Sequence, residues 1–148
     1  MPLAQLRVKL LGDFEIRYAG TPVESLHALR LQSLLAYLIL HGDSFLQRQH
    51  LAFLFWPDTP EAHARNNLRQ LLFQLRGALP DPDRFLAVDG TTLRWRLDPD
   101  QVVDVHLFRE ALRTAQSAEK SADLAAARQW LGRAVAHYQG NLLPSCYD

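Results

Sequence analysis

Apolar and polar residues alternate in strand period at the start of the chain: Arg7 and Lys9 separate Leu6, Val8 and Leu10, and Glu15 and Arg17 separate Phe14, Ile16 and Tyr18. Gly12-Asp13 and Ala19-Gly20 stand where turns are needed, so a small antiparallel sheet with one wet face is predicted, with a short third strand near Pro22 and Val23. The period then becomes helical. Leu31, Leu34, Leu35 and Leu38 mark a first helix, stopped at His41-Gly42, where glycine accepts a left-handed backbone cheaply. An extended piece around Phe45 and Leu46 leads to a second helix over roughly Arg48 to Trp56, burying Leu51, Leu54 and Phe55 and ended by Pro57. Its cap is poor, since Gln47 stands where a short polar side chain would accept free amide hydrogens.

Thr59-Pro60 opens a third helix with a capping hydroxyl and a proline at the first helical position, and Glu61 suits the helix dipole. It runs to about Leu79, where Pro80 forbids continuation. After a polar PDPD stretch come two short strands, about Phe85 to Val88 and Thr91 to Leu97, joined by Asp89-Gly90, a dipeptide suited to a type I′ hairpin turn. Asp98-Pro99-Asp100 reads as a linker. Beyond it Asp104 can cap a helix carrying Leu107, Phe108, Ala111, Leu112 and Ala115. Asp123 can cap another carrying Leu124, Ala127, Leu131, Ala134, Val135 and Tyr138, closed by Gly140. Such a helical hairpin rarely buries its apolar stripe alone, so the chain reads as a fragment of something longer. Trp56 and Trp130, on helix faces, read as core.

The third helix carries the candidate chemistry. At 100° per residue, Ala64, Leu68, Leu71, Leu72, Leu75 and Leu79 share one stripe, which is core. The other side presents Asn66, Gln70 and Phe73, flanked by His63, Asn67, Arg69 and Gln74, with Arg65 and Arg76 nearer the edges. Asn and Gln pair bidentately with adenine, Arg with guanine or phosphate, and an apolar group meets a thymine methyl, so this face is chemically able to read a major groove. Between Ala62 and Leu79 stand three arginines and no acid. On the hairpin, Leu93, Trp95 and Leu97 point one way and Arg94 and Arg96 the other, so a packed face backs a cationic one. The reading is a winged helix-turn-helix of α+β class. Asn66, Arg69, Gln70, Phe73 and Gln74 then meet base edges, while Arg48, Arg65, Asn67, Arg76, Arg94 and Arg96 meet phosphates.

The 16 basic and 16 acidic residues leave no net charge, whereas a nucleic-acid binder is more often basic. Charges near the docking face matter more, because those beyond about 8 Å are screened in physiological salt. The neutrality and the exposed Phe73 also fit a rival reading, a protein-interaction or regulatory module whose winged helix no longer binds DNA. Enzymatic readings are excluded more firmly. The six histidines show no metal-ligand spacing, and no phosphate loop or nucleophile elbow is present. Neither a cofactor, nor a metal, nor a small-molecule substrate is expected. With Cys146 as the only cysteine there is no internal disulfide, which fits a reducing cytoplasm. No apolar run is long enough to span a membrane.

Taken in order, an N-terminal sheet, LLAYLILHGDSF, LAFLFWPDTPEAHARNNLRQLLFQLRGAL and a hairpin ending RWRL resemble the OmpR-type winged helix of the Streptomyces antibiotic regulatory protein family. VDVHLFREAL, DLAAARQWLGRAVAHYQ and the ending GNLLPSCYD resemble the opening of that family's bacterial transcriptional activator domain, a tetratricopeptide-like helical array. The resemblance implies a DNA-binding domain over 1–99 and the first helical hairpin of the activator domain over 100–148. It also implies a transcriptional activator that recognises direct repeats in promoter DNA, by way of the helix at 60–79 and the wing at 85–97. RNA polymerase is the implied partner, with protomers pairing on DNA.

Overall fold

The computed structural model describes residues 4–138, 140 and 142. Along the chain its elements are β1 (Leu6–Lys9), β2 (Glu15–Tyr18), β3 (Thr21–Pro22), α1 (Leu29–Leu40), β4 (Leu46–Gln47), α2 (Arg48–Phe55) and α3 (Glu61–Ala78). There follow α4 (Pro82–Phe85), β5 (Leu86–Val88), β6 (Thr92–Trp95), β7 (Gln101–Val103), α5 (Asp104–Lys120) and α6 (Leu124–His137). The mixed α+β class is as expected. Contacts divide the chain into two compact units, Met1–Pro22 with Pro99–Asp148, and Val23–Asp98. The divisions fall after Pro22 and before Pro99, so the first unit is made of two separate stretches of the chain.

In the first unit the strands run in the order β3-β2-β1-β7. β1 and β2 pair antiparallel, with Arg7 opposite Arg17 and Lys9 opposite Glu15. Leu6, Val8, Leu10 and Ile16 turn to the buried side, as their alternation predicts. β7 departs from expectation. The supposed linker runs straight into it, and it lies parallel to β1, with Asp100 carbonyl oxygen accepting the Leu6 N–H at 3.0 Å. Three residues of such a strand carry too little periodicity to be seen in advance.

Asp104, expected to cap α5, is its first residue, and its carboxylate accepts the Val105 N–H at 2.8 Å while also serving the sheet. It accepts the N–H groups of Leu10 and Leu11, each at 2.9 Å, where β1 has run out of strand partners. Asp123 does cap α6, accepting the Ala126 N–H at 3.1 Å. The buried residues of the α5–α6 pair are mainly alanines, Ala111 and Ala115 against Ala127 and Ala134. Much of the expected stripe on α6 is therefore not core: Leu124 and Val135 are each 72% exposed. Trp130 is half-buried, with Arg133 over its ring. Gly140 lies beyond the end of α6 rather than at its cap, and a side chain there would meet the Gly12 backbone at 2.9 Å.

The second unit packs α1 and α2 against α3, with a three-stranded sheet of order β4-β6-β5. α1 buries Leu31, Leu34, Leu35 and Leu38 as expected. Its stop works differently from the expectation. The left-handed residue is Asp43, at φ 65°, while a Cβ at Gly42 would come within 2.6–2.9 Å of the Leu97 side chain, which would have to move aside. α2 buries Leu51 and Ala52, while Leu54 is 43% exposed and Phe55 and Trp56 are half-buried, so the expected burial of Leu54, Phe55 and Trp56 is corrected. Arg30 explains part of that, since its guanidinium lies over both the Phe55 and Trp56 rings. The PDPD stretch holds the short helix α4. Phe85 then stacks on Trp95 at 5.7 Å in the core of this unit.

Candidate nucleic-acid interface

α3 begins with Pro60 at its N-cap and no side-chain cap, so the expected Thr59 hydroxyl does not serve there. Its stripe of Ala64, Leu68, Leu71, Leu72 and Leu75 is buried, and Leu79 continues it. This fixes the rotation of the helix. His63, Arg65, Asn66, Arg69, Gln70, Phe73 and Gln74 are consequently exposed, and Asn67 and Arg76 half-buried. Phe73 is 80% exposed, an uncommon position for a phenyl ring.

The start of this face opens into a groove of about 640 Å³ whose walls come from three places. Arg65, Asn66 and Arg69 line it from α3, Gln47, Arg48 and Gln49 from the start of α2, and Gly90, Thr91 and Thr92 from the β5–β6 turn. β4 is what joins the last two walls: Gln47 pairs with Thr92, and the Arg48 N–H donates to the Thr91 carbonyl at 2.9 Å. The sequence marks an extended piece at Phe45 and Leu46 and a strand from Thr91, but nothing in it marks their pairing, which is why sequence reasoning missed Gln49, Thr91 and Thr92 as site residues. Gln70, Phe73 and Gln74 lie on the same helix outside the groove lining.

The turn itself is not of type I′, because neither Asp89 nor Gly90 has a positive φ. The Asp89 carboxylate closes it instead, its Oδ1 accepting the N–H groups of Thr91 and Thr92, both at 2.7 Å. These backbone donors, Thr91 first, hold the Asp89 carboxyl down at about 2. A permanent negative charge therefore stands at the groove rim, and the guanidinium of Arg48 lies beside it, donating to the Asp89 carbonyl at 2.9 Å.

The cations named from the sequence divide into two groups. Arg65 lines the groove and makes no hydrogen bond or ion pair among the described residues. Arg69 donates to the Asn66 Oδ1 at 2.6 Å, so these two neighbours present one joined polar surface. The others are engaged within the unit. Arg76 is ion-paired with Asp83 of α4. Arg94 lies over the ring of Phe45, and Arg96 donates to the Asp83 carbonyl at 2.5 Å. The absence of acids from 62–79 does not carry over to three dimensions, because α4 supplies Asp83. No group of His, Cys, Asp or Glu that could hold a metal occurs among the described residues, and none of their helices is long and apolar enough to cross a membrane.

No protein-family model matches the sequence, and no curated protein matches it either. Among solved structures the fold is similar to that of EmbR from Mycobacterium tuberculosis, determined in complex with a low-affinity phosphopeptide. The TM-score is 0.79 at 23% sequence identity. The likeness covers 97% of this chain but 38% of the EmbR chain, so this chain spans well under half the length of its structural neighbour. At that identity the likeness is one of fold.

Proposed function

We propose that the protein is a sequence-specific DNA-binding transcriptional regulator of the Streptomyces antibiotic regulatory protein type. In this reading Val23–Asp98 supplies the winged helix, with α3 in the major groove and the β5–β6 hairpin against the neighbouring backbone or minor groove. The carrying observation is that the core stripe of α3 leaves Asn66, Arg69, Gln70, Phe73 and Gln74 exposed together, with Arg48 and Arg65 converging beside them in the groove under the hairpin turn. Asn66, Arg69 and Gln70 offer the donor and acceptor pairs that read base edges, and Phe73 an apolar contact for a thymine methyl. Arg48 and Arg65 take phosphates, with Asn67 beside them. Arg76, Arg94 and Arg96, already engaged, contribute to the field and stiffen the site.

With so few cations free, one domain binds weakly, and occupancy rests on two protomers on direct repeats about one helical turn apart. The α5–α6 pair belongs to the first helical hairpin of a tetratricopeptide-like activator domain in this reading, and RNA polymerase is the partner such a domain serves. The test is selection of bound duplexes from a random pool, followed by titration of Arg69→Ala and Gln70→Ala against the winning sequence. Both substitutions are expected to cost about tenfold or more in affinity and to relax specificity, as loss of a bidentate base contact does. Unchanged affinity and specificity in both would remove the assignment.

The second reading, an interaction module that has lost DNA binding, is favoured by the exposure of Phe73 together with a net charge of zero. Retention on nonspecific DNA that does not fall with salt would select it.

A further inference from the structure

The register of the N-terminal sheet places two arginines face to face. Arg7 of β1 and Arg17 of β2 are directly opposed partners, so their side chains leave the same side of the sheet, an arrangement that is destabilising unless something negative lies between or over them. The next rung is matched, Lys9 opposite Glu15. Neighbours answer only part of the like-charge rung. Arg17 gives its Nε to Glu15 at 2.6 Å and an Nη to the Gly20 carbonyl, while Arg7 gives its Nε to Gln5 at 2.9 Å. The terminal nitrogens of Arg7 make no hydrogen bond or ion pair among the described residues, and the Lys9 ammonium, which acts on Glu15 through its charge, makes no hydrogen bond there.

This rung forms part of a pocket of about 320 Å³, the lower end of the range for small-ligand sites. Arg7, Lys9 and Arg17 line it, Val102 and Leu107 give it apolar wall, and His137 adds an imidazole from the last turn of α6. Two acids also line it, and neither is free to fill it. Glu15 is committed to Arg17, and the Asp104 carboxylate to the N–H groups of Leu10 and Leu11. With three cations against two carboxylates the lining keeps a net positive charge, and its unshared donors, the terminal nitrogens of Arg7 and the Lys9 ammonium, suit a group with several acceptor oxygens lying across the Arg7–Arg17 rung.

We propose that this pocket is a binding site for a small organic phosphomonoester, its phosphate across Arg7, Arg17 and Lys9 and its apolar body against Val102 and Leu107. A phosphate dianion supplies the acceptors that two guanidinium forks and an ammonium require, and a monoanion supplies half the charge. No role in the proposed DNA contact falls on these residues, so the site stands whether or not that reading survives.

The experiment is titration of the full chain at constant ionic strength with phenyl phosphate, benzoate, phenol and inorganic phosphate, followed by amide chemical shifts and thermal shift. Phenyl phosphate is expected to saturate, with shifts centred on Leu6–Lys9, Glu15–Tyr18 and Gln101–Asp104. Benzoate is expected to bind at least tenfold more weakly and phenol not at all. Binding of inorganic phosphate as tight as that of phenyl phosphate would overturn the organic ligand, and equal binding of benzoate would overturn the dianion. Arg7→Gln relieves the like-charge rung, so it is expected to melt no lower than the parent and to lose at least tenfold in phenyl phosphate affinity. Arg113→Gln, an exposed change on α5 outside the pocket, is expected to bind as the parent does. Absence of saturable shifts in the parent chain, or equal affinity in Arg7→Gln, would refute the site.

Discussion

The guanidinium of Arg94 lies over the ring of Phe45, its central carbon 4.9 Å from the ring centroid. The pair joins β6 to the segment just before β4, and so ties the hairpin to the connection that leads into α2. Sequence alternation had assigned Arg94 to a free cationic face; the ring beneath it makes it a structural arginine. A double-mutant cycle with Phe45→Ala and Arg94→Ala is expected to give a coupling of about 0.5–1 kcal/mol in unfolding free energy, the range for exposed cation–π pairs. Additive losses would show that the two side chains merely lie near each other.

Asp104 does for the sheet what it was expected to do for the helix. Its two carboxylate oxygens take the N–H groups of Leu10 and Leu11, which lie past the end of β1 and are buried residues. Asp104→Ala should therefore destabilise the chain by about 1–3 kcal/mol, the cost of stranding part-buried donors. Asp104→Asn, which keeps one carbonyl acceptor, should lose less. Denaturant unfolding checks both, and equal stability of the Ala variant and the parent would contradict the role.

The hairpin turn carries a pH signature. Because the Asp89 carboxyl is held at about 2 in the folded chain, against about 4 in an unfolded one, its contribution is present above pH 4 and is lost as the pH falls through 2. Protection of the Thr91 and Thr92 amides, taken relative to the intrinsic exchange rate at each pH, is expected to hold down to about pH 4 and to fall below it. Asp89→Ala is expected to exchange fast at neutral pH with no such step. A parent hairpin whose protection, corrected for the intrinsic rate, is the same at pH 4 and pH 2 would contradict this account.

What the sequence disclosed was periodicity. The α3 stripe runs over about four turns, long enough to fix the rotation of the helix, and every one of its six leucines and alanines is buried. The exposed face followed from that alone. Long-range partners left no such trace. β4 and β7 are two and three residues long, yet one carries the hairpin to α2 and the other joins the N-terminal sheet to the chain beyond Pro99. Charge was misjudged for the same reason. The acid-free run from 62 to 79 is a property of the sequence, and Asp83, seven residues beyond Arg76, pairs with it only because α4 folds back. Gly42 follows the end of α1 as expected, but the left-handed residue is Asp43, and what crowds Gly42 is the side chain of Leu97, remote in sequence.

The division of the α3 arginines gives the sharpest test of the proposed DNA contact. Each phosphate neutralised contributes about −0.9 to the slope of log affinity against log salt. With Arg48, Arg65 and Arg69 lining the groove and none of them ion-paired among the described residues, and Arg76 held by Asp83, two to three phosphates neutralised per protomer should give a slope of about −1.8 to −2.7. Arg65→Ala should weaken binding evenly across sequences and reduce the slope by about 1. Arg76→Ala should leave the slope nearly unchanged and cost little stability, because an ion pair between exposed groups contributes at most about 1 kcal/mol. Fluorescence anisotropy with one labelled duplex from 50 to 300 mM salt would measure all three proteins. A larger loss of slope in Arg76→Ala than in Arg65→Ala would mean that Asp83 gives up its partner to DNA, and that the phosphate contacts run along the far end of α3 rather than through the groove beside the hairpin.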